Sequence, residues 1–356
     1  QRSRKIHENK TASKIELRDQ GKLDDFIKRF PFGFTGSQIR ALEEILGDFR
    51  KGQPMARLLE GDVGSGKTAV AATAAYAAVA ENLEVAYMAP TEILARQHFQ
   101  SFIQYFTYLG INIGLITGSE CLKFPSKINP TETTHISRAQ LLKWVANGEI
   151  PILIGTHALI QKSVKFKNLA LVIIDEQHRF GTTQRARLVN KTSLVPHLLS
   201  MTATPIPRTL ALTIYGDLDL TLIDEMPPGR KQVLTEIVSP EKRAAAYQKI
   251  KSELKNGHQL FVVCPRIDEP DPTKELAVNA KSAKEESKRL KNEVFKEWEI
   301  ACLHGKIKPR EKEKIMQDFT AGRVQILVAT SVVEVGVNVP NATMIIIEGA
   351  ERFGLA

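Results

Sequence analysis

Cysteine is scarce in this chain, and no long apolar segment is present. The 356 residues include three cysteines, Cys121, Cys264 and Cys302, which lie far apart and form no C-x-x-C pair. That spacing argues against a disulfide framework and against a zinc site. No apolar run approaches the ~20 residues that a transmembrane helix needs, and the polar start QRSRKIHENK does not resemble a signal peptide. We therefore expect a cytoplasmic protein.

The composition is that of a globular protein with a moderate excess of positive charge. Hydrophobic residues make up 43% and charged residues 25% of the chain, and the formal net charge is +9. This excess favours a polyanionic partner, although charge alone does not identify that partner as nucleic acid. A chain of 356 residues exceeds the usual size of one hydrophobic core, so we expect two domains.

Short apolar runs alternate with longer helical patterns along most of the sequence. Runs such as LEVAYMA, IPILIG and LALVIID alternate with amphipathic or alanine-rich stretches, and the alternation resumes after PPGR at 227–230. This order is typical of parallel sheets flanked by helices, and consecutive prolines interrupt both regular structures. We predict a basic connector over 1–30, a first domain over 31–230 and a second over 231–356. The polar, proline-containing stretch 119–137 predicts a surface loop or insertion.

A phosphate-binding loop is the most informative motif. The string GDVGSGKT matches the pattern G-x-x-x-x-G-K-[ST], with an apolar segment before it and the helix-forming AVAATAAYAAVA after it. In such a loop backbone N–H groups surround phosphate oxygens, Lys67 reaches the β- and γ-phosphates, and the Thr68 hydroxyl ligates Mg²⁺. A plain glycine-rich turn, the alternative, would not need this order of strand, loop and helix. The predicted nucleotide-binding residues are Gly61, Gly64, Ser65, Gly66, Lys67 and Thr68.

Two adjacent carboxylates supply the natural partner of that loop. The string LVIIDEQH follows an apolar run with Asp175 and Glu176. We predict that Asp175 holds the same Mg²⁺ and that Glu176 polarises the attacking water, so that both act with Lys67 in catalysis. The alternative is a pair of surface carboxylates. His178 either couples the nucleotide pocket to a domain interface or is a hydrogen-bonded spacer.

Further strings join these two motifs in a family resemblance. They are APTEILARQH at 89–98, IGTHALIQ at 154–161, IIDEQHRFG at 173–181, MTATPIPRTLALT at 201–213 and VVEVGVNVPNA at 332–342. Together with GDVGSGKT they resemble superfamily 2 helicase motifs, and more narrowly those of the RecG family of bacterial ATP-dependent DNA helicases. The resemblance implies an α/β protein of two tandem RecA-like P-loop domains with parallel sheets flanked by helices, the second incomplete. It also implies ATP and Mg²⁺ as cofactors.

The activity that the resemblance implies is that of a helicase or translocase motor. Its substrate would be branched or forked double-stranded DNA at stalled replication forks, in recombination and repair, and we expect it to act as a monomer without membrane association. The alternative in the same class is the motor of a transcription-repair coupling factor, which shares the TPIPRTL and HRFG strings. The alternative from another class is a nucleotide-switched DNA-binding module without sustained turnover.

The resemblance also implies roles for residues that composition and spacing do not single out. Gln38 in FTGSQ would recognise adenine. Coupling of hydrolysis to domain movement would involve His178, Thr202, Thr204, Glu334, Gly336 and Asn338. Contacts to DNA phosphates would come from Thr91, Arg96, Thr117, Gly118, Thr156, His157, His304, Gly305 and Thr330. Backbone contacts suit a motor because translocation must tolerate any base sequence. For the threonines, capping of helices or turns is the alternative.

The resemblance covers the chain from about residue 30 to its last string, ERFGLA. In the family, an arginine-rich motif that supplies arginine fingers follows this string, and an N-terminal wedge domain precedes the connector. We therefore expect a truncated chain. Because an arginine finger contributes about 10³ to 10⁵ in turnover for related hydrolases, we expect this chain to bind ATP and to hydrolyse it weakly.

Overall fold

The chain forms two compact units, Gln1–Lys231 and Gln232–Ala356. The computed structural model describes residues 11–17, 19–127, 129–176, 194–203, 218–225, 233–265, 282–330 and 339–352. The division between the units falls one residue beyond the 230/231 boundary expected from the PPGR string. Each unit has its own sheet of mainly parallel strands with helices between them, and the predicted α/β class is confirmed.

The first unit is built on a nine-stranded sheet with the order β5-β4-β3-β6-β2-β7-β8-β1-β9. Its described helices are α1 (Gln20–Ile27), α2 (Gly36–Arg50), α3 (Lys67–Ala80), α4 (Glu92–Phe106) and α5 (Arg138–Ala146). Its described strands are β1 (Ala56–Gly61), β2 (Glu84–Met88), β3 (Ile113–Ile116), β4 (Cys121–Phe124), β5 (Thr134–His135), β6 (Ile152–Gly155), β7 (Leu169–Ile174), β8 (His197–Thr202) and β9 (Asp219–Ile223). In this sheet order, each strand from β3 to β9 is parallel to the next one.

The central strands of this sheet are buried on both faces. Every residue of β2, β6 and β7 is buried, as is usual for a parallel sheet covered by helices. Helix α3 is alanine-rich and is also mostly buried. Alanine has the highest helix propensity, and its small side chain lets α3 lie close to β1, β2 and β7, which it contacts. The phosphate-binding loop at the start of α3 is therefore anchored in the core.

The described residues of the expected connector, 11–17 and 19–30, are part of the first unit and pack on its core. The Ala12 N–H donates to the Gly52 carbonyl at 3.0 Å, which ties the segment to the end of α2. On α1, the Phe26 ring is buried and stacks on Tyr76 of α3 with ring centroids 4.2 Å apart. The polar, basic N-terminal stretch thus contributes apolar side chains to the core of the first unit.

The stretch 119–137 contains regular structure. The sequence predicted a loop or insertion there, whereas β4 pairs antiparallel with β3 and β5 pairs antiparallel with β4 at the edge of the sheet. Leu122 and Phe124 of β4 are buried and alternate with partly exposed residues. The stretch is a short antiparallel extension of the sheet.

The second unit is a smaller version of the same architecture. Its described helices are α6 (Arg243–Lys255), α7 (Ala283–Arg289) and α8 (Pro309–Thr320), and its described strands are β10 (Gln259–Cys264), β11 (Ile300–Leu303), β12 (Ile326–Thr330) and β13 (Ala342–Ile347). The strands pair in parallel in the order β11-β12-β10-β13. In the parts of the chain that the structure describes, no helix has the length and apolar character needed to cross a membrane.

A buried glutamate at the start of β2 should make the stability of the first unit depend on pH. Glu84 is 2% exposed, its Oε2 accepts a hydrogen bond from the Asn168 N–H at 2.5 Å, and burial raises the pKa of Glu84 to about 7. Because the folded pKa lies above the ordinary value of 4.5, the folded chain holds a proton between these values that the unfolded chain has lost. Stability should therefore fall as pH rises through this window.

Glu84→Gln should remove that dependence. At about pH 8 the free energy of unfolding should exceed that of the wild type by on the order of 1 to 3 kcal/mol, and the difference should shrink toward about pH 5. Denaturant unfolding across this range measures it. Glu43→Gln, which removes the same charge from the exposed face of α2, is the control. Equal pH slopes for wild type and Glu84→Gln would contradict the assignment.

Candidate functional site

The predicted site residues of the first unit follow the carboxyl ends of its parallel strands. The phosphate-binding loop follows β1, the two carboxylates follow β7, and Thr202 is the last residue of β8. The ends of neighbouring strands are joined directly, since the Asp175 N–H donates to the Met88 carbonyl of β2 at 2.9 Å. Carboxyl ends of parallel strands meet at one edge of a sheet. The structure thus brings these residues together along a single edge.

The loop between β1 and α3 depends on glycine at two positions. Gly64 has φ 80° and Gly66 has φ 90°, both in the left-handed region that glycine adopts without strain. Gly66 is the residue before α3, and its carbonyl accepts hydrogen bonds from the Ala69 and Val70 N–H groups at 2.9 and 3.2 Å. Free N–H groups at a helix start attract anions. The loop therefore has the backbone geometry of a phosphate site.

Lys67 lies inside this loop. Its Nζ donates to the Gly61 carbonyl at 2.6 Å and to the Asp62 carbonyl at 3.0 Å. Burial lowers the pKa of Lys67 below its ordinary value, while the charges of Asp175, Glu176 and Asp62 oppose that shift. A cation in this position faces the same space as both carboxylates, which is the arrangement needed to neutralise phosphate charge next to a metal ligand.

Gln38 packs against the same loop from α2. It is fully buried, its Nε2 donates to the Ser65 carbonyl at 2.7 Å, and its Oε1 accepts from the Thr35 N–H at 2.9 Å. The Thr35 hydroxyl in turn accepts from the Gln38 N–H, which completes a capping box at the start of α2. The amide thus fixes the loop to α2. Its second amide proton is available for a further acceptor.

Asp175 and Glu176 are both buried at the end of β7, at 9% and 8% exposure. The Glu176 N–H donates to Asp175 Oδ1 at 3.1 Å. Glu176 has φ 51°, a left-handed backbone conformation that is uncommon outside glycine. Such strain persists where the surrounding structure imposes it, and it is frequent at functional sites. The surface-carboxylate alternative does not describe these residues.

A histidine that sequence reasoning did not assign contacts the metal-ligand candidate. His98 on α4 is 6% exposed, and its Nε2 lies 2.7 Å from Asp175 Oδ2. Its Nδ1 lies 3.2 Å from the hydroxyl of Tyr87 on β2. Burial raises the pKa of Tyr87 well above its ordinary value, the charge of Asp175 adds to this, and a hydrogen bond with the Thr68 side chain opposes it. Tyr87, His98 and Asp175 therefore form one buried polar network.

The outer side of α4 is tied to the turn after β3. Glu92 Oε1 accepts from the Gly118 N–H at 2.8 Å, and Oε2 accepts from the Ser119 hydroxyl at 2.6 Å. Arg96 Nη2 lies 2.7 Å from Glu120 Oε1 and its side chain is 39% exposed. The first half of α4 and this turn therefore form one connected surface, which we call the α4 surface (Glu92, Arg96 and residues 118–120).

Two of the threonines predicted to contact DNA, Thr91 and Thr117, accept hydrogen bonds from nearby backbone N–H groups. Thr91 caps α4 and accepts from the Leu94 N–H at 3.3 Å, while its own hydroxyl proton remains available to an acceptor. Thr117 is 1% exposed and accepts from the Ser119 and Glu120 N–H groups at 3.2 and 3.1 Å. The capping alternative thus describes both. At this turn the exposed residues are Gly118 and Ser119.

Thr156 and His157 follow β6 and begin a short 3₁₀ helix, His157–Ile160. His157 is exposed, whereas the Thr156 hydroxyl is buried and has no hydrogen-bond partner among the described residues. In the second unit, His304 and Gly305 follow β11, and Thr330 ends β12. These two strands are paired, with Leu303 opposite Ala329, so their ends are neighbours. His304 and Thr330 are buried and Gly305 is exposed.

The coupling residues are described only in part. Thr202 ends β8 and is 2% exposed. The remaining ones predicted, namely His178, Thr204, Glu334, Gly336 and Asn338, lie outside the described residues. Their placement stays a prediction.

The residues at the edge of the first sheet fit a nucleotide with its magnesium ion. The Ser65 hydroxyl is buried without a partner among the described residues, and a phosphate oxygen at this loop would satisfy it. No cluster of three or more His, Cys, Asp or Glu that could hold a metal occurs in the described ranges. Mg²⁺ is commonly held by one or two protein groups together with substrate phosphates, and Thr68 with Asp175 supply such a pair.

Comparison with known proteins agrees with this geometry. A family model described as DEAD/DEAH box helicase matches residues 35–213, and one described as helicase conserved C-terminal domain matches residues 241–353. The chain belongs to the DEAD/DEAH box helicase family. Helicases of this family use ATP, and the two RecA-like domains expected from the sequence are confirmed by these matches together with the solved structures below.

Members of this family that are similar to the chain include RecG proteins. The ATP-dependent DNA helicase RecG of Aquifex aeolicus is 46% identical over 346 residues, 97% of this chain and 41% of that protein. RecG of Bacillus subtilis is 46% identical over 331 residues, 93% of this chain and 46% of that protein. The chain thus spans less than half the length of these relatives.

Solved structures show the same fold. The structure of RecG bound to a three-way DNA junction aligns with a TM-score of 0.79 and 39% identity, covering 100% of this chain and 44% of that one. The helicase MrfA bound to DNA aligns with a TM-score of 0.63 and 18% identity, which supports the fold alone. The resemblance stated from the motifs is confirmed.

Gly66→Ala tests the geometry of the loop without reference to catalysis. A side chain at φ 90° is strained, and its Cβ would collide with the Gln38 amide, so Gln38 must leave the Ser65 carbonyl. We expect a loss of about 1 to 3 kcal/mol in the free energy of unfolding. Gly47→Ala, in open space within α2, should instead be neutral or stabilising by up to about 1 kcal/mol. Similar effects of both substitutions would show that the loop is not held as described.

Proposed function

We propose that the chain is the motor portion of an ATP-dependent DNA helicase or translocase that remodels stalled replication forks and branched junctions in recombination and repair. The observation that carries the proposal is the shared edge of the first sheet. There the phosphate-binding loop, the buried carboxylates and the start of α4 follow the carboxyl ends of β1, β7 and β2, which are parallel strands of one sheet. The RecG relatives and the junction-bound RecG structure support DNA as the polymer on which it acts. Neither alternative considered from the sequence gains support from these relatives.

The loop residues bind and neutralise the triphosphate. Backbone N–H groups of Gly64, Gly66, Lys67 and Thr68 and the Ser65 hydroxyl donate to phosphate oxygens, and Lys67 exchanges its carbonyl partners for the β- and γ-phosphates. Gln38 holds the loop and presents its remaining amide proton toward the adenine. Burial strengthens each of these interactions, because charges attract more strongly where water is excluded.

Thr68 and Asp175 are the residues that would hold Mg²⁺, which when bound stabilises the developing charge on the phosphates. Glu176 accepts a proton from the attacking water and orients it. The left-handed backbone conformation of Glu176 sets the direction in which its side chain leaves the chain. The division of labour is therefore binding by Lys67, metal ligation by Thr68 and Asp175, and activation of water by Glu176.

DNA would be held through its phosphates by residues at strand ends of both units. In the first unit these are Thr91, Arg96, the turn at Thr117 and Gly118, and Thr156 with His157. In the second they are His304, Gly305 and Thr330. Thr202, His178, Thr204, Glu334, Gly336 and Asn338 would link nucleotide state to domain movement, so that two alternating grips advance along the duplex. We further propose that the protein acts in the cytoplasm as a monomer, on branched or forked DNA.

Two substitutions separate binding of the nucleotide from its hydrolysis. Lys67→Ala removes the cation that contacts the phosphates, and we expect ATP affinity to fall by about 10-fold to 100-fold. Glu176→Gln keeps the binding contacts, so affinity should hold; in a protein completed by the arginine-rich motif, the same substitution should lower DNA-stimulated phosphate release by roughly 100-fold to 10,000-fold. Titration calorimetry and a phosphate-release assay measure the two effects. Equal ATP affinity in both variants would show that the division of roles is wrong.

Arg96→Ala tests the DNA-gripping surface. Loss of one phosphate contact should weaken binding to duplexes of any sequence and reduce the slope of log affinity against log salt by about one. Lys143→Ala is the matched control. That exposed residue lies in the last turn of α5, which leads into the opposite, amino end of β6. A salt slope that changes equally in both variants would place the DNA elsewhere.

A further inference from the structure

The buried side of α4 makes a contact that the proposed roles leave unexplained. His98 Nε2 lies 2.7 Å from Asp175 Oδ2, and both side chains are nearly excluded from solvent, at 8% and 13% exposure. A carboxylate oxygen only accepts hydrogen bonds, so Nε2 is the donor. On a neutral ring Nδ1 is then an acceptor, and the Tyr87 hydroxyl at 3.2 Å donates to it. The same hydroxyl also lies 3.4 Å from Nε2, so Tyr87 contacts the ring close to both nitrogens while Asp175 engages Nε2.

This hydrogen bond fixes the orientation of the metal-ligand candidate. Asp175 Oδ1 is engaged by the Glu176 N–H at 3.1 Å and Oδ2 by His98, so the carboxylate cannot rotate without breaking one of them. Partners that orient a metal ligand typically contribute about 10-fold to 100-fold in metal affinity.

The same helix carries the α4 surface on its other side. Two residues advance a helix by about 200°, so Arg96 and His98 face opposite directions, and their side chains are 39% and 8% exposed. Glu92 and Arg96 fasten the outer side to the turn at residues 118–120. If contact with a DNA phosphate shifts α4, His98 moves relative to β7, and Asp175 moves with it.

We propose that His98 is a positioning residue through which the α4 surface sets the orientation of Asp175, so that DNA contact alters the Mg²⁺-dependent part of nucleotide binding. This inference rests on the proposed function. It adds a physical route from the DNA grip to the phosphate site within the first unit.

The test measures nucleotide affinity in four conditions, with and without Mg²⁺ and with and without a three-way junction DNA. The probe is an ATP analogue whose β and γ phosphates are joined by nitrogen. His98→Phe keeps a ring of similar size but has no hydrogen bond to donate. We expect its Mg²⁺-dependent gain in affinity to fall by about 10-fold to 100-fold, and the effect of DNA on that affinity to disappear. Its Mg²⁺-free affinity and its affinity for the DNA should stay within about twofold of the wild type.

A conservative variant distinguishes positioning from packing. His98→Gln retains a donor near the position of Nε2, and it should keep most of the Mg²⁺-dependent gain. Ser101→Ala is the control on the same helix, since it removes a hydrogen bond to the Gln97 carbonyl that does not involve Asp175. Loss of the gain in His98→Gln as large as in His98→Phe, or a full gain in His98→Phe, overturns the inference.

Two further variants keep the outcome decisive. If His98→Phe does not fold, Tyr87→Phe removes only the hydroxyl that fixes the imidazole, and a Mg²⁺-dependent gain equal to the wild type would overturn the proposal. Lys67→Ala distinguishes a failure of the proposed function from a failure of the role assigned to His98. A wild-type chain whose affinity for the analogue does not depend on Lys67 contradicts the proposed function itself, whereas Lys67-dependent binding with an unaffected His98→Phe contradicts only the role of His98.

Discussion

One constraint organises the first unit: the carboxyl ends of its parallel strands all lie at the same edge of the sheet. β1 delivers the phosphate-binding loop there, β7 delivers Asp175 and Glu176, and β2 delivers the start of α4. The pairing register of these strands is constrained because strands such as β2 and β7 are buried on both faces. A slip of one residue would turn every buried side chain to the other face. The hydrophobic core therefore fixes the geometry of the polar site.

At that edge, several buried polar side chains hydrogen-bond one another. Gln38 anchors the loop to α2, and the network from Tyr87 through His98 to Asp175 crosses from β2 to α4 and the end of β7. A buried polar group without a partner costs about 1 to 3 kcal/mol, so each member stabilises the placement of the next. The site is accordingly positioned by several elements together.

The sequence predicted what is local and missed what depends on long-range packing. The loop Gly61–Thr68 and the carboxylates after β7 are recognisable from spacing alone, because glycines, a lysine and an acidic strand end must occur in that order. The role of His98 cannot be recognised from its motif, because its contact with Asp175 depends on the helical phase of α4 against β7. The strands within 119–137 were missed because β5 is only two residues long, too short for any alternation. The burial of Thr117 likewise depends on a turn whose partners are distant in sequence.

The choice of residue at position 98 follows from what the position must do. A lysine there would place a second cation beside Lys67 and compete with a metal ion for Asp175, since an ammonium attracts the carboxylate wherever water is excluded. An apolar residue would leave Oδ2 of Asp175 without a partner. A neutral imidazole donates at one nitrogen and accepts at the other, so it can bridge Asp175 and Tyr87 without adding charge. It orients the carboxylate and leaves its charge available to the ligand.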